Sequence, residues 1–263
     1  MASEEWKSVD NSYEAIGEPV YCAFLDILGY RNKMDEYYKG TLNLAGRISR
    51  AMKYVMDIKE IMDDANADRA GGRFRHLSDS IIITYPQTSS GLINLLHDTG
   101  VVAAHMAMDE LFIRGGIAAG IHFDQDLKGV PMLVSSALRK AHSLEHAATT
   151  PRILIDPELS GKLTANHSRY VIREERDFVV HFLQRYASDP KAPRLLVKEI
   201  EDIAAYRDRY SSIPGMDEKM NYLIDYHAWM LGRLGGIDTA KLKGFNDRGF
   251  APLQIPGDSI PSG

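Results

Sequence analysis

Cysteine is almost absent from this chain: Cys22 is the only one in 263 residues. That excludes an intramolecular disulfide and any multi-cysteine zinc or iron–sulfur site, and it fits a reducing compartment such as the cytoplasm. Long apolar runs are missing too, none approaching the roughly 20 residues a bilayer-crossing helix needs. The start, Met1-Ala2-Ser3-Glu4-Glu5-Trp6, is acidic and lacks the basic and apolar segments of a secretory signal, which predicts a soluble protein. Positive charge is not in excess either. With 31 Lys and Arg against 36 Asp and Glu, the net charge of −5 offers no basic surface for nucleic acid or an anionic membrane. Several common motifs are also missing. There is no Gly-x-x-x-x-Gly-Lys-Ser/Thr loop and no Gly-x-Ser-x-Gly elbow, and the glycines of Gly115-Gly116-Ile117-Ala118-Ala119-Gly120 do not match the dinucleotide pattern.

What is present is a 44% apolar chain, long enough to bury a full core, with two strand-like runs that each enclose an aspartate. Tyr21-Cys22-Ala23-Phe24-Leu25-Asp26-Ile27 holds Asp26, and Phe74-Arg75-His76-Leu77-Ser78-Asp79-Ser80-Ile81-Ile82-Ile83 holds Asp79. Removing an ionised carboxylate from water costs several kcal/mol unless a cation or good donors compensate it. Two such groups on neighbouring strands point to a divalent metal site.

The pattern along the chain says how they would become neighbours. A strand is expected over about 20–27, and an amphipathic helix from Leu42 to Met62 with Leu44, Ala45, Ile48, Met52, Val55, Met56 and Met62 on its apolar face. Arg73 to Tyr85 reads as two strands around a tight turn at Ser78-Asp79. A second helix follows over about 91–110, then a strand from Phe112 to His122. The order β-α-β-β-α-β is that of an α+β fold, the ferredoxin-like split βαβ antiparallel sheet with both helices on one face. In that topology the first strand lies beside the central hairpin, so Asp26 and Asp79 converge. Further on, the sequence predicts a loop at Asp124–Pro131, a helix from Ser135 to Ala148, strands at Pro151–Asp156 and Phe178–Leu183, and helices over about 193–210 and 215–234.

Phe24-x-Asp26-Ile27 with Gly29-Tyr30, Ser78-Asp79-Ser80, Arg114-Gly115-Gly116-Ile117-Ala118-x-Gly120 and Ala137-Leu138-x-x-Ala141-x-x-Leu144-Glu145 occur in the order seen in class III nucleotidyl cyclases, which residues 20–156 resemble. Phe24 to Tyr30, the Arg114 run and Pro151-Arg152-Ile153 look most like the pyrimidine cyclases of the Pycsar antiphage defence system. Polar residues ending at Gly17-Glu18-Pro19 read as an N-terminal arm over 1–19, and the prolines and glycines after Lys243 as an irregular tail over 243–263; between them are expected a cyclase domain over 20–160, which the resemblance implies, and a C-terminal α/β extension over 161–242 packing on it. The resemblance also implies that Asp26, the carbonyl of Ile27 and Asp79 hold two Mn²⁺ or Mg²⁺ ions, hard cations suited to oxygen ligands. The backbone of Leu28, Gly29 and Tyr30 would cradle the triphosphate. Further implications are a cytoplasmic homodimer with active sites between its subunits, second-messenger synthesis, and a separate effector that binds the cyclic nucleotide.

Where the sequence departs from the family, substrate choice is at stake. Ser143 stands where cyclases keep a transition-state arginine, and Arg139, one turn earlier, is the expected replacement because a guanidinium bridges two phosphate oxygens. Arg75 occupies a base-reading position, with Met132 near the second one. Arginine only donates, which suits the carbonyls of uracil, so UTP is expected ahead of CTP and of purines. Arg114 is read equally as a phosphate contact or a plain strand arginine. The missing arginine also leaves open a catalytically weak module that senses nucleotides. A diguanylate cyclase is disfavoured because the hairpin lacks a Gly-Gly-Asp-Glu-Phe-type turn. His142-Ser143-Leu144-Glu145-His146 satisfies the His-x-x-Glu-His pattern of inverted zinc proteases, but the pattern is short, would need a third ligand downstream, and falls inside the cyclase resemblance.

Overall fold

The structure, a computed structural model, describes residues 17–65, 71–235 and 246–254. It is built on one mixed sheet. Strand β1 (Glu18–Ile27) lies between β3 (Ser80–Pro86) and β4 (Ile113–Leu127), antiparallel to both, and β2 (Arg73–Leu77) forms the edge beyond β3. On the other side, β4 pairs in parallel with β6 (Ile153–Ile155), followed by β8 (Asp177–Val180), β7 (Val171–Glu174) and β9 (Phe250–Pro252). The architecture is α+β, as the sequence predicts. The strand order of the first half is the split βαβ order, and the β4–β6 pair is the one parallel ladder among the described residues.

Alternation along β1 divides the sheet into two faces. Tyr21, Ala23, Leu25 and Ile27 join the main core, where helices α2 (Leu44–Ala65) and α3 (Ser89–Met108) pack. The short α1 (Tyr30–Tyr38) precedes α2 and is tied down by Lys33, whose Nζ donates to the Glu110 carbonyl at 2.9 Å and to Tyr206 Oη at 2.8 Å. Ala51 takes a buried place on α2, whereas Ala45 and Met56, expected to face inward, are exposed. Helix α3 starts at a Thr88 cap, whose side chain accepts from the Gly91 amide at 2.9 Å.

Val20, Cys22, Phe24 and Asp26 face the other way. That side is covered by α4 (Ser136–Ala147), which contributes Ala137 and Leu138 to a small apolar cluster with Val20, Cys22 and Ile82. Glycine in β4 sets how closely α4 approaches: a Cβ on Gly116 would stand 2.2 Å from the Ala141 carbonyl oxygen. Burial pushes the Cys22 thiol up to about 12, so it is no nucleophile.

Two stretches differ from the sequence reading. The expected loop at Asp124–Pro131 is a hairpin: β4 continues to Leu127, turns at Lys128-Gly129, and returns as β5 (Val130–Ser135). It runs past the end of β1, whose last partner on β4 is His122, so most of it has no second sheet neighbour to impose an apolar alternation. The tail is partly ordered as well, because β9 lies within the stretch expected to be irregular and adds to β7. Glu18 and Pro19 of the expected arm begin β1; the rest of the arm before Gly17, and 243–245 and 255–263 of the tail, lie outside the described residues. Helices α5 (Ala192–Arg209) and α6 (Met216–Arg233) pack on each other and against the sheet domain, where Phe112 and Tyr206 meet edge to face at 5.1 Å. None of the described helices is long and apolar enough to cross a membrane.

Candidate active site

The backbone brings the two aspartates together. Asp26, the next-to-last residue of β1, lies opposite Ser80 on β3 and Arg114 on β4, while Asp79 occupies the two-residue turn between β2 and β3. The Asp79 carbonyl accepts the Ile27 amide at 3.0 Å, which clamps the turn against the end of β1. The turn is strained: Ser78 has φ 59, a left-handed conformation costing a residue with a Cβ roughly 1–2 kcal/mol. The Asp26 carboxylate reaches the α4 face and keeps 20% of its side chain exposed.

Two further charged groups complete this corner. Arg114 Nε stands 3.5 Å from Asp26 Oδ2 and in ion-pair contact with Glu145 Oε1, a contact not aligned as a hydrogen bond. Glu145, on the inner side of α4, is 2% exposed. Two carboxylates thus face one guanidinium, and the charge of Asp79 acts on Asp26 as well. The Asp26 carboxyl is raised to about 6, first by burial and then by the charges of Glu145 and Asp79, against the opposing pull of Arg114. An oxygen-only, net-negative donor set fits hard divalent cations, which would relieve this repulsion, and Asp26 and Asp79 would be the side chains to hold them.

The remaining predicted residues fall in different surroundings. Gly29 takes φ 69 at the start of α1, a conformation that suits glycine, and the amides of Gly29 and Tyr30 lie at a helix N-terminus, where amides lack intrahelical partners. Leu28 is a correction: its amide donates to the Phe112 carbonyl at 2.8 Å and is not available to a phosphate. Arg75, on β2, is gripped by Asp124, with Nε 2.7 Å from Oδ2 and a terminal nitrogen 2.5 Å from Oδ1. This pairing leaves three of its five N–H donors for other acceptors. Arg139 is exposed on α4 and has no ion-pair partner among the described residues; Met132 is exposed on β5. A cavity of about 440 Å³, bordered by Phe112, Arg185, Glu199 and His227, contains none of the predicted site residues.

Asp124 and the Arg114–Glu145 pair were not foreseen. Asp124 fell in an expected loop. Glu145 carried a signal, because it shares a helical face with Ala137, Ala141 and Ala148, and a carboxylate among inward positions requires a cation.

No family model matches the chain, and no curated protein sequence matches it. Solved structures to which this chain is similar include the adenylyl cyclase CyaB from P. aeruginosa, 14% identical, with 63% of this chain and 94% of that chain covered at a TM-score of 0.44. The guanylyl cyclase Cya2 is 12% identical over 62% of this chain and 90% of its own, at a TM-score of 0.40. The guanylyl cyclase domain of the RhoGC fusion protein from the aquatic fungus Blastocladiella emersonii is 17% identical over 52% of this chain and 79% of its own, at a TM-score of 0.34.

Proposed function

We propose that this protein is a nucleotidyl cyclase that converts a pyrimidine nucleoside triphosphate, UTP ahead of CTP, to its 3′,5′-cyclic monophosphate and pyrophosphate. The observation that carries this reading is the meeting of Asp26 and Asp79 at the end of β1, clamped by the bond from the Ile27 amide to the Asp79 carbonyl. When bound, two Mn²⁺ or Mg²⁺ ions would supply the charge that acidifies a ribose hydroxyl and neutralises the phosphates. Asp26 and Asp79 hold the reacting groups in place, and the α1 N-terminus at Gly29 and Tyr30 receives phosphate oxygens. Arg75, anchored by Asp124, presents its remaining donors to the O2 or O4 carbonyl of uracil.

Two observations support a homodimer with active sites between its subunits. Arg139 is exposed and pairs with no acid among the described residues, which suits a residue serving a partner's site. Ile121, Val130, Met132 and Val134 are all exposed on the β4–β5 hairpin, an apolar stripe that a second copy would cover. A role in antiphage defence, with a cyclic-nucleotide-binding effector, follows from the sequence resemblance. One observation favours a second reading, a nucleotide-sensing module: Arg114 already partly neutralises Asp26 without a metal.

Incubating the protein with each of the four nucleoside triphosphates and Mn²⁺, then identifying products by mass spectrometry, separates these readings. Cyclic UMP that vanishes in Asp26→Ala and Asp79→Ala is the expected result. A product dominated by cyclic AMP or cyclic GMP overturns the base assignment, and binding without product selects the sensor.

A further inference from the structure

His142 and His146 have no part in the proposed chemistry, yet their side chains stand together with that of Glu145. All three project from one side of α4, with one ligand atom of each lying within 4.8 Å of those of the other two. The imidazoles of His142 and His146 are exposed and meet edge to face at 4.3 Å, and His142 also meets the Phe24 ring edge to face at 5.0 Å. Glu145 is buried and holds a divided position: Oε1 faces Arg114, while Oε2 faces His146 Nδ1 at 3.8 Å. One carboxylate oxygen is thus committed to the sheet and the other is directed to the histidine pair.

We propose that His142, His146 and Glu145 Oε2 form a binding site for a borderline-soft divalent cation such as Zn²⁺, separate from Asp26 and Asp79. Two imidazoles and one carboxylate are a donor set that suits zinc and is foreign to Mg²⁺, which prefers oxygen. Ligand atoms around a tetrahedral zinc at about 2.0–2.1 Å lie about 3.3 Å apart, so small rotations of the two exposed imidazoles close the site. The Arg114 contact orients Glu145 from behind, as outer-sphere partners commonly orient metal-bound carboxylates. The same contact argues against the protease chemistry that the sequence pattern brings to mind, because a buried glutamate paired with arginine cannot serve as the general base. Glu145 is a ligand here, and water completes the coordination. Since Arg114 also reaches Asp26 at 3.5 Å, a charge placed on Glu145 is felt at the end of β1.

Zn²⁺ titration by calorimetry tests this, using the full chain, the double variant His142→Ala/His146→Ala and the double variant Asp26→Asn/Asp79→Asn. The expected result is one Zn²⁺ per chain in the wild type, retained in the aspartate variant and weakened about 100-fold or more in the histidine variant, beyond the 10–100-fold typical for losing an outer-sphere partner. Both histidines are exposed, so the histidine variant should keep the wild-type circular dichroism spectrum and Tm without zinc. Saturable binding that is absent from the wild type, unchanged in the histidine variant or abolished in the aspartate variant overturns the proposal. None of these outcomes depends on whether the protein turns over a nucleotide, so failure here and failure of the cyclase reading are distinguishable.

Discussion

On β1, Tyr21, Ala23, Leu25 and Ile27 point to the face covered by α2 and α3 and are at most 5% exposed. Val20, Cys22, Phe24 and Asp26 point to the face covered by α4, and there the apolar series ends in a carboxylate flanked by Arg114, Glu145 and Asp79. One strand therefore supports a dry core on one side and a charged corner on the other. The difference teaches that stability and chemistry are assigned to alternate residues of the same ten, so neighbouring substitutions on β1 should have opposite effects.

The largest effect expected is on turnover. Under the cyclase reading, Asp26→Asn lowers product formation about 1000-fold, equivalent to ~4 kcal/mol in the barrier, while the fold persists. Leu25→Ala, one residue away, should do the reverse: it removes a fully buried side chain and costs about 3 kcal/mol of stability in urea unfolding, with turnover per folded molecule little changed. Equal loss of turnover in both variants would erase the distinction between the faces.

Gly116→Ala tests the α4 side without touching charge. Its Cβ meets the Ala141 carbonyl, so α4 must shift, with an expected cost of about 2 kcal/mol and a weakened Arg114–Glu145 pair. Unchanged stability and turnover would mean that α4 is not held as closely as this packing requires.

The pH dependence of stability is set on the charged side. Asp26 is raised to about 6 in the folded protein against a usual 3.8, so the folded chain takes up this proton first as pH falls. Its stabilising contribution is fully present below about pH 3.8 and is lost as pH rises through about 6. Without metal, Asp26→Asn should therefore be more stable than wild type by about 1–2 kcal/mol at pH 7, and the gap should close toward pH 4, as followed by thermal unfolding. The smallest effect belongs to the turn. Ser78→Gly relieves the left-handed backbone and should add about 0.5–1 kcal/mol, read as a small rise in Tm.

Much of this division was legible in the sequence. Asp26 and Asp79 stood out because a carboxylate among β-formers is costly, and the β-α-β-β-α-β periodicity said that they would meet. The hairpin turn at Ser78-Asp79 was visible for the same reason, two apolar runs with a polar break. The β4–β5 hairpin was not, because Asp124, Asp126 and Pro131 read as a turn when few sheet neighbours impose alternation. Strand β7 was missed because Arg173 and Glu174 cut its apolar run to two residues, and β9 because Pro252 and its neighbours read as an irregular tail, whereas the equally short β6 and β8 sit in continuous apolar runs.

Local chemistry, by itself, determined which segments become strands and helices and which carboxylates need a counter-charge, since both depend on side chains near one another in the chain. Only the tertiary structure decided which cations and anions meet. Arg114 reaches Glu145 because Gly116 lets α4 lie against β4, and Asp124 reaches Arg75 from the far part of β4. It also decided that one carboxylate, Glu145, stands between the Asp26 corner and the two histidines of α4. Such pairings join residues 31 and 49 positions apart, and close packing of separate elements brings them together where no local pattern records them.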